Sequence, residues 1–359
     1  IFMRILIKTV IILSILTGVV FLSYPYVMDK IPSQVEERIQ SLLPESLKKT
    51  VSYESESELL TTQNGKISLK GTEWIGRSKD EVLSLLGNPK AMNLSRYGYT
   101  WYSYSTQDQI LEIGIDNEEV VTIFIAGDTF GVEPFQFLQD RNQLSKDFTM
   151  ERIVKFKKGI QSFEFVLTEE DYMVKPIILL GNQLAQLYFD QETDELVGVR
   201  YGTKDVFIMQ KPYQMRYTGE LLTAPELSTV QMNQVNQTRE KQIYIYTNFI
   251  RKLNGCSTLK LKSDLSQISF LHSQDMEQNQ FFSHESPNTG TLKDRLEQGN
   301  YPFQAAGENI AANYTDGLDV TVGWLNSPGH RVNLLSKEFN EIGIGVSGSY
   351  YTQNFSKNT

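Results

Sequence analysis

The chain of 359 residues contains one cysteine, Cys256, so no disulfide can form within it. Small exported domains often depend on a disulfide framework, whereas the folded parts of this chain must be stabilised by their hydrophobic cores. Cys256 follows Asn254 and Gly255, just after an apolar helical pattern. We therefore expect it to be a small buried hydrophobic residue rather than a reactive thiol.

Basic residues are not in excess, because 34 Lys and Arg stand against 43 Asp and Glu, for a formal charge of −9. This modest acidic excess argues against nucleic acid as a partner, and we expect no such partner. The first 70 residues look non-globular. At roughly 150 residues per domain, the remainder is long enough for about two domains, each with its own core.

Charge is absent from Thr9 to Met28, a run of 20 residues. At ~1.5 Å per residue, a helix of this length crosses a hydrocarbon core of ~30 Å, so the sequence predicts a membrane anchor within residues 1–28. Arg4 and Lys8 precede the run and predict that the folded domains lie outside the cell. A cleaved signal peptide is the alternative, but no alanine occurs before Ala91 to form the usual cleavage site. We therefore expect a single-pass protein of the cell membrane.

Polar residues dominate the segment 29–70 and predict a tether. Residues 71–217 predict a smaller α+β domain. Ser78 and Glu81 form a capping-box pattern before a short helix, and a hairpin is expected to turn at Asp116-Asn117. A polar segment over 218–236 joins this domain to a second one over 235–359.

Helical patterns open the second domain. One apolar face runs from Ile243 to Leu253, and another helix is predicted over 264–279. His272 lies on the apolar stripe of that helix, where a histidine in the core is a better interpretation than a metal ligand. Trp324 is also expected in the core.

Only three histidines occur in the chain, and two of them lie in a series of short motifs near the C-terminus. The motifs, in chain order, are Phe281-Phe282-Ser283-His284, Gly307-Glu308-Asn309-Ile310, Trp324-x-x-Ser327-Pro328-Gly329-His330-Arg331-x-Asn333, Glu341-Ile342-Gly343-Ile344-Gly345-Val346 and Tyr351-Thr352-Gln353-Asn354-Phe355. This pattern resembles the CAP superfamily of cysteine-rich secretory, antigen and pathogenesis-related proteins, in its bacterial extracellular branch.

The segment 71–217 resembles the domain that precedes the CAP module in membrane-anchored proteins of the Bacillus type. The motifs that carry this resemblance are Trp74-Ile75-Gly76, Leu86-Gly87-Asn88-Pro89 and the run from Ser95 to Tyr102. The resemblance implies an α+β chain whose C-terminal part is a three-layer α-β-α sandwich with a central cleft.

In this family, two histidines and acidic residues line the cleft and hold a divalent metal in some members. Carried over by motif, the metal ligands would be His284, His330 and Glu308. The position of a second acid falls where this sequence has Asn326 and Ser327, so the set is incomplete. The cleft is expected to include Ser327 at its rim, and Asn309. An amide such as Asn309 also has a structural interpretation, in which it satisfies loop carbonyl groups, as do Arg331, Asn333 and Gln353.

Two imidazoles and a carboxylate are a legitimate set of ligands for zinc or a similar ion. However, no His-Glu-x-x-His helix is present, and Ser327 lacks the context of a nucleophile elbow, so we expect no catalytic residue. The sequence therefore favours a membrane-anchored extracellular protein that binds a lipid, peptide or protein of the cell envelope without catalysis. A metal-dependent hydrolase acting on peptide or cell-wall material is the alternative, and a purely structural envelope protein is a third.

Overall fold

The computed structural model describes residues 70–358. The predicted anchor over 1–28, and all of the predicted tether over 29–70 except Lys70, lie outside these residues. Within residues 70–358, no helix is both long enough and apolar enough to span a bilayer.

Residues 71–217 form a mixed α+β region that is larger, not smaller, than the region that follows it. A 3₁₀ turn, Gly71–Glu73, comes first, and the helices are α1 (Lys79–Leu86), α2 (Arg141–Asp147), α3 (Glu169–Val174) and α4 (Lys204–Gln210). The strands are β1 (Ala91–Leu94), β2 (Thr100–Ser103), β3 (Ile110–Asp116), β4 (Glu119–Ala126), β5 (Ile153–Lys158), β6 (Gln161–Val166), β7 (Ile177–Leu180), β8 (Gln183–Asp190), β9 (Glu195–Thr203) and β10 (Gln214–Tyr217).

Seven of these strands form one antiparallel sheet in the order β1-β2-β3-β4-β9-β8-β7, and three form a second in the order β10-β6-β5. The predicted capping box is confirmed: the Ser78 amide donates to Glu81, and the Glu81 amide donates to the Ser78 hydroxyl. The β3–β4 turn lies at Asn117-Glu118, one residue later than predicted, and both residues have positive φ. Positive φ at both turn positions matches the twist of a two-residue hairpin.

The C-terminal region has five helices and four strands among the described residues. The helices are α5 (Thr229–Leu253), α6 (Ser263–Asn279), α7 (Leu292–Gln298), α8 (Gly317–Leu325) and α9 (Pro328–Leu334). The strands are β11 (Lys260–Leu261), β12 (Ala305–Ala312), β13 (Glu341–Ser347) and β14 (Tyr350–Lys357). They form a sheet in the order β11-β13-β14-β12.

Helices cover both faces of this sheet, so the predicted α-β-α sandwich is confirmed. Side chains alternate along β13, and Ile342 and Ile344 share a buried cluster with residues of α5 and α8. Gly343 and Gly345 point to the opposite face, where α6 approaches closely. A Cβ atom at Gly345 would lie only 1.9 Å from the backbone nitrogen of Phe270. Glycine at these positions therefore sets the distance between helix and sheet.

The polar join predicted over 218–236 is shorter than expected, because α5 begins at Thr229 and is capped by the Ser228 hydroxyl. Polarity alone suggested a linker, but Ser228 and Gln231 form a capping box that starts a helix there. The boundary between domains at 71–217 and 235–359 otherwise stays a prediction.

The two regions share one hydrophobic cluster. Phe124 of β4 contacts Tyr246 of α5 edge to face, with 5.2 Å between ring centroids. The Tyr246 hydroxyl also donates to the Val197 carbonyl of β9, over 3.0 Å. Contacts of this kind bury aromatic surface that each region would otherwise expose.

Candidate functional site

The candidate site combines side chains from four elements of the C-terminal region. Glu308 lies on β12, Arg295 on α7 and His330 on α9, while His284 lies in the loop that follows α6. Across β12 and β14, Glu308 is paired with Asn354, and Asn309 is paired with Gln353. Successive residues of a strand face opposite sides of the sheet, so the side chains of Glu308 and Asn309 point in opposite directions. His284, Glu308 and His330 are called the histidine cleft below.

Glu308 is buried and is held by two side chains. Its Oε1 atom accepts a hydrogen bond from His284 Nδ1 over 3.0 Å, and its Oε2 atom is 2.5 Å from Arg295 Nη2. The Arg295 side chain is equally buried, and its Nη1 atom donates to the carbonyl groups of His284 and Gly290. Both terminal nitrogens of Arg295 are thus used, which fixes the buried pair in one geometry, while its Nε atom has no hydrogen-bond partner among the described residues.

Burial alone would raise the pKa of Glu308, but the hydrogen bond from His284 and the charge of Arg295 outweigh it, so this pKa is lowered from 4.5. Glu308 is therefore a carboxylate at neutral pH. The pKa of His330 is lowered from 6.5 by burial and by the nearby His284. His330 is consequently a neutral imidazole at neutral pH.

The two imidazole rings of the histidine cleft lie near one another, with 6.5 Å between their centroids. The His284 side chain is 58% exposed. Because a carboxylate oxygen can only accept, Nδ1 of His284 carries the proton that it donates to Glu308. The Nε2 atom lies on the other side of the ring, and the carboxylate behind the ring fixes its orientation. The cleft thus offers a fixed, accessible imidazole to a ligand.

The Asn309 side chain is fully buried, and its polar atoms are used within the protein. Its Nδ2 atom donates to the His330 carbonyl and to Gln353 Oε1, each over 3.2 Å, and its Oδ1 atom accepts from Asn333. The structural interpretation of Asn309 is therefore the one that the geometry supports. Ser327 is the half-buried residue before α9, and its hydroxyl does not cap that helix.

A metal ion does not fit the three predicted ligands as they are arranged. The separation of the imidazole rings is within reach of one shared ion with metal–nitrogen bonds of ~2.1 Å. However, both oxygens of Glu308 are used by His284 and Arg295. In the part of the chain that the structure describes, no group of three or more His, Cys, Asp or Glu side chains could hold a metal ion.

His272 is fully buried, as predicted for a core histidine, yet it also belongs to the surroundings of the site. Its Nε2 atom donates to the Ser283 carbonyl over 3.1 Å and lies 3.9 Å from Glu308 Oε1. Burial, only partly offset by Glu308, lowers its pKa from 6.5. Arg295 could not be identified as part of the site from the sequence, because a single arginine on a short helix looks like a solvated residue.

Glu341 is a further acidic residue that the fold buries. It begins β13, and its side chain points inward. Its Oε2 atom accepts from the Tyr301 hydroxyl over 2.7 Å and from Ser356, and Lys262 lies 3.3 Å from its Oε1 atom. The partners on neighbouring elements make this burial possible.

A cavity of about 260 Å³ lies where the two regions meet, and none of the predicted site residues lines it. Its polar lining includes Lys175 and Asp319, which form an ion pair between the regions at 3.3 Å. This cavity and the histidine cleft are therefore separate features.

Comparison with known proteins identifies both regions. Residues 75–213 match the family model described as CAP-associated N-terminal, and residues 233–357 match that of the cysteine-rich secretory protein family. The membrane protein YlbC of Bacillus subtilis is 35% identical over 358 residues, which is 99% of either chain. The chain belongs to the CAP family. Its CAP domain is preceded by a CAP-associated domain, as the sequence predicts.

Solved structures agree with this fold. An extracellular protein of Bacillus anthracis that contains an SCP domain is similar with a TM-score of 0.78 and 35% identity, over 86% of this chain and 100% of that one. A cysteine-rich secretory protein of Staphylococcus aureus is similar with a TM-score of 0.72 and 24% identity, over 82% of this chain and 97% of that one. At 24% identity, the likeness to the Staphylococcus aureus protein is evidence for the fold of this chain only.

Proposed function

We propose that this CAP protein is anchored in the cell membrane by a single span and binds a component of the cell envelope outside the cell, without catalysis. The ligand would be a lipid, a peptide or a protein, and the histidine cleft would be where it binds. The pair of folded domains would be attached to the membrane by residues 1–28 and spaced from it by residues 29–70.

The observation that carries the proposal is the state of Glu308. A hydrolase needs a group that takes up or gives a proton, or an ion that activates water. Glu308 is an ion-paired carboxylate whose pKa is lowered despite its burial, and both of its oxygens are engaged by side chains of the protein. What the cleft presents is His284, oriented and exposed, which suits recognition by hydrogen bonding.

The location outside the membrane is supported by the charge-free run from Thr9 to Met28 with Arg4 and Lys8 before it. It is also supported by relatives named as a membrane protein and as an extracellular protein. External protease added to intact cells should digest the CAP domain while the membrane fraction keeps the N-terminal segment. A CAP domain that stays protected, or a mature chain that starts near Asp29, would contradict the proposed topology.

Binding is tested with purified protein against three defined probes: cell-wall sacculi, vesicles of anionic phospholipid, and a library of envelope peptides. We expect one probe to bind the natural chain, and His284→Ala and His330→Ala to weaken that binding at least about tenfold, the loss of one or two strong contacts. Lys155→Ala, a change at an exposed side chain of the CAP-associated domain, is the control and should bind normally. Binding that the two histidine variants do not weaken would place the ligand elsewhere.

The alternative, a metal-dependent hydrolase, gives different results. It requires zinc or a similar ion in the purified protein, lost in His284→Ala and His330→Ala, and release of soluble fragments from sacculi or peptides. Metal analysis by mass spectrometry and a fragment-release assay on the same samples distinguish the two proposals. Stoichiometric metal together with fragment release would replace binding by catalysis.

A further inference from the structure

We propose that the CAP-associated domain positions the histidine cleft, and that Asp190 is a positioning residue for His330 although it belongs to the other domain. The inference rests on the proposed function, because it takes the histidine cleft to be the binding site. It concerns three consecutive residues at the end of β8, Phe189, Asp190 and Gln191, which are called the β8 clamp.

The first contact of the β8 clamp is an ion pair with α9. Asp190 accepts two hydrogen bonds from Arg331, Nη1 to Oδ1 over 2.7 Å and Nη2 to Oδ2 over 2.9 Å. The side chains are 3% and 16% exposed, so the pair is largely shielded from water. A two-point contact between a guanidinium and a carboxylate fixes orientation as well as distance. Arg331 follows His330 directly in the chain.

The second contact lies on the other side of Ser327. The side-chain Nδ2 atom of Asn326 donates to the Phe189 carbonyl over 2.8 Å. Its Oδ1 atom accepts from the backbone N–H group of Gln191, also over 2.8 Å. Asn326 therefore pairs with the backbone of β8 as a neighbouring strand would, with one donor and one acceptor. The same Nδ2 atom donates to Val322 of α8, which ties the contact to the CAP domain.

These two contacts enclose the segment from Ser327 to His330. That segment is the beginning of α9, a helix of seven residues with no side-chain cap at its N-terminus and with Gly329 in its first turn. A helix this short is not stable by itself, so its position depends on what holds it. Inside the CAP domain, Asn309 holds the His330 carbonyl and Asn333 holds the Glu308 carbonyl. Arg331 Nη1 also donates to the Leu325 carbonyl, and Arg251 donates to the Leu334 carbonyl. The β8 clamp adds restraints from the other domain.

The consequence is that the CAP domain does not define its own cleft alone. The position of the His330 ring relative to His284 depends on Asp190 and Arg331 as well as on the sandwich. A change in how the two domains are docked would change the separation of the two imidazole rings. The CAP-associated domain then has a direct function at the site, in addition to its own fold.

The test uses the imidazole signals of the full chain in nuclear magnetic resonance, which are readily assigned because the chain has three histidines. Asp190→Asn should shift the His330 signal and leave that of His272 unchanged, since His272 is buried and held by Ser283. Lys175→Gln is the matched control, because it removes a different ion pair between the domains, at Asp319 of α8, without touching α9. Asp190→Glu, which can restore the pair, should move the His330 signal less than Asp190→Asn does.

Hydrogen exchange provides a second readout. Loss of a charged hydrogen bond should speed exchange of the backbone amides in 328–334 by about tenfold or more in Asp190→Asn, but not in Lys175→Gln. Should Asp190→Asn fail to fold, Arg331→Lys keeps the charge and loses the two-point geometry, and the same shift and exchange are expected. An unchanged His330 signal with unchanged exchange, or equal effects in the control, would overturn the proposal.

Failure of the proposed function is seen separately. If the natural chain binds none of the three probes, the binding proposal fails while the His330 signal still reports on Asp190. If the natural chain binds and Asp190→Asn binds equally well, with His330 unmoved, the positioning proposal fails and the binding proposal stands.

Discussion

Glu308 is the residue at which the charges of the cleft meet. It lies between one exposed imidazole, one buried imidazole and one buried guanidinium, from His284, His272 and Arg295. Removal of one partner from a buried ion pair leaves the other without compensation, which costs more than the pair contributes. The stability of this region should therefore respond to the charge of a single side chain.

The variant Glu308→Gln is expected to lose roughly 3 kcal/mol or more in free energy of unfolding, because Arg295 stays buried without its carboxylate. Glu297→Gln is the control: the same change of chemistry on nearby α7, where Glu297 forms an exposed pair with Lys293. The control should change the free energy by less than about 0.5 kcal/mol. Urea unfolding of both variants measures the difference, and equal effects would show that Arg295 does not depend on Glu308.

Glu112 gives a prediction for pH. Its Oε1 atom accepts hydrogen bonds from the hydroxyls of Ser103 and Ser105. Burial raises the pKa of Glu112, these hydrogen bonds lower it, and burial outweighs them, so the pKa rises from 4.5 to about 7. Between pH 4.5 and 7 the unfolded chain loses this proton while the folded chain keeps it, so stability falls as pH rises and levels off above pH 7. The difference between the two pKa values corresponds to roughly 3 kcal/mol.

Glu112→Gln removes this dependence, and the variant should gain stability relative to the natural chain as pH rises from 4.5 to 7. The measurement is the difference in free energy of unfolding between the two proteins at each pH, because other groups that titrate in both then cancel. A difference that is constant over this range would contradict the assigned pKa.

At the scale of elements, the contact between α6 and β13 depends on glycine. A methyl group at Gly345 would meet the backbone of Phe270 at 1.9 Å, and backbone cannot move aside as a flexible side chain can. The φ angle of Gly345 is not positive, so any effect of a substitution is steric rather than conformational.

Gly345→Ala is therefore expected to lose about 1–3 kcal/mol or more by overpacking. Gly329→Ala is the matched control, because no atom lies within 4 Å of the added methyl group, and alanine in a helix should be neutral or stabilising by roughly 0.5–1 kcal/mol. Thermal unfolding of both variants measures the difference in their stability. A Gly345→Ala protein as stable as the control would mean that α6 can move away from the sheet without loss.

At the largest scale that the structure describes, residues 70–358, the two domains are joined through a shared core. Tyr246 of the CAP domain packs on Phe124 and donates to Val197 of the CAP-associated domain. Arg200 and Asp316 form a further pair between the domains, 2.8 Å apart and buried. Contacts of this quality couple two regions that could otherwise unfold separately.

Tyr246→Ala should therefore destabilise both domains together, by roughly 3–5 kcal/mol for a buried aromatic residue. Hydrogen exchange in increasing denaturant, followed at β3 and at β14, should show both strands losing protection at the same lower concentration. Leu271→Ala, at a half-exposed position on α6, is the control and should leave both transitions nearly unchanged. Loss of protection at β14 alone would indicate domains that unfold independently.

The sequence by itself determined those features that depend on local pattern and on motifs. The capping box at Ser78, the hairpin β3–β4 and the helix α6 follow from residue spacing, whereas the CAP sandwich was implied by the resemblance of the ordered motifs to a known family. Local hydrogen bonds and alternating burial are encoded within a few residues, so they can be read without a structure. The same holds for His272 and Cys256, whose buried positions follow from helical periodicity and composition.

Only the tertiary structure decided which partners each polar residue has. Arg295 reaches Glu308, Glu341 turns inward to Tyr301, and Asp190 pairs with Arg331, each across elements far apart in the chain. The start of α5 at Thr229 and the size of the CAP-associated domain also differ from the prediction. A charged side chain looks the same in a sequence whether it is solvated or buried, because its burial depends on a partner that only the fold brings within reach.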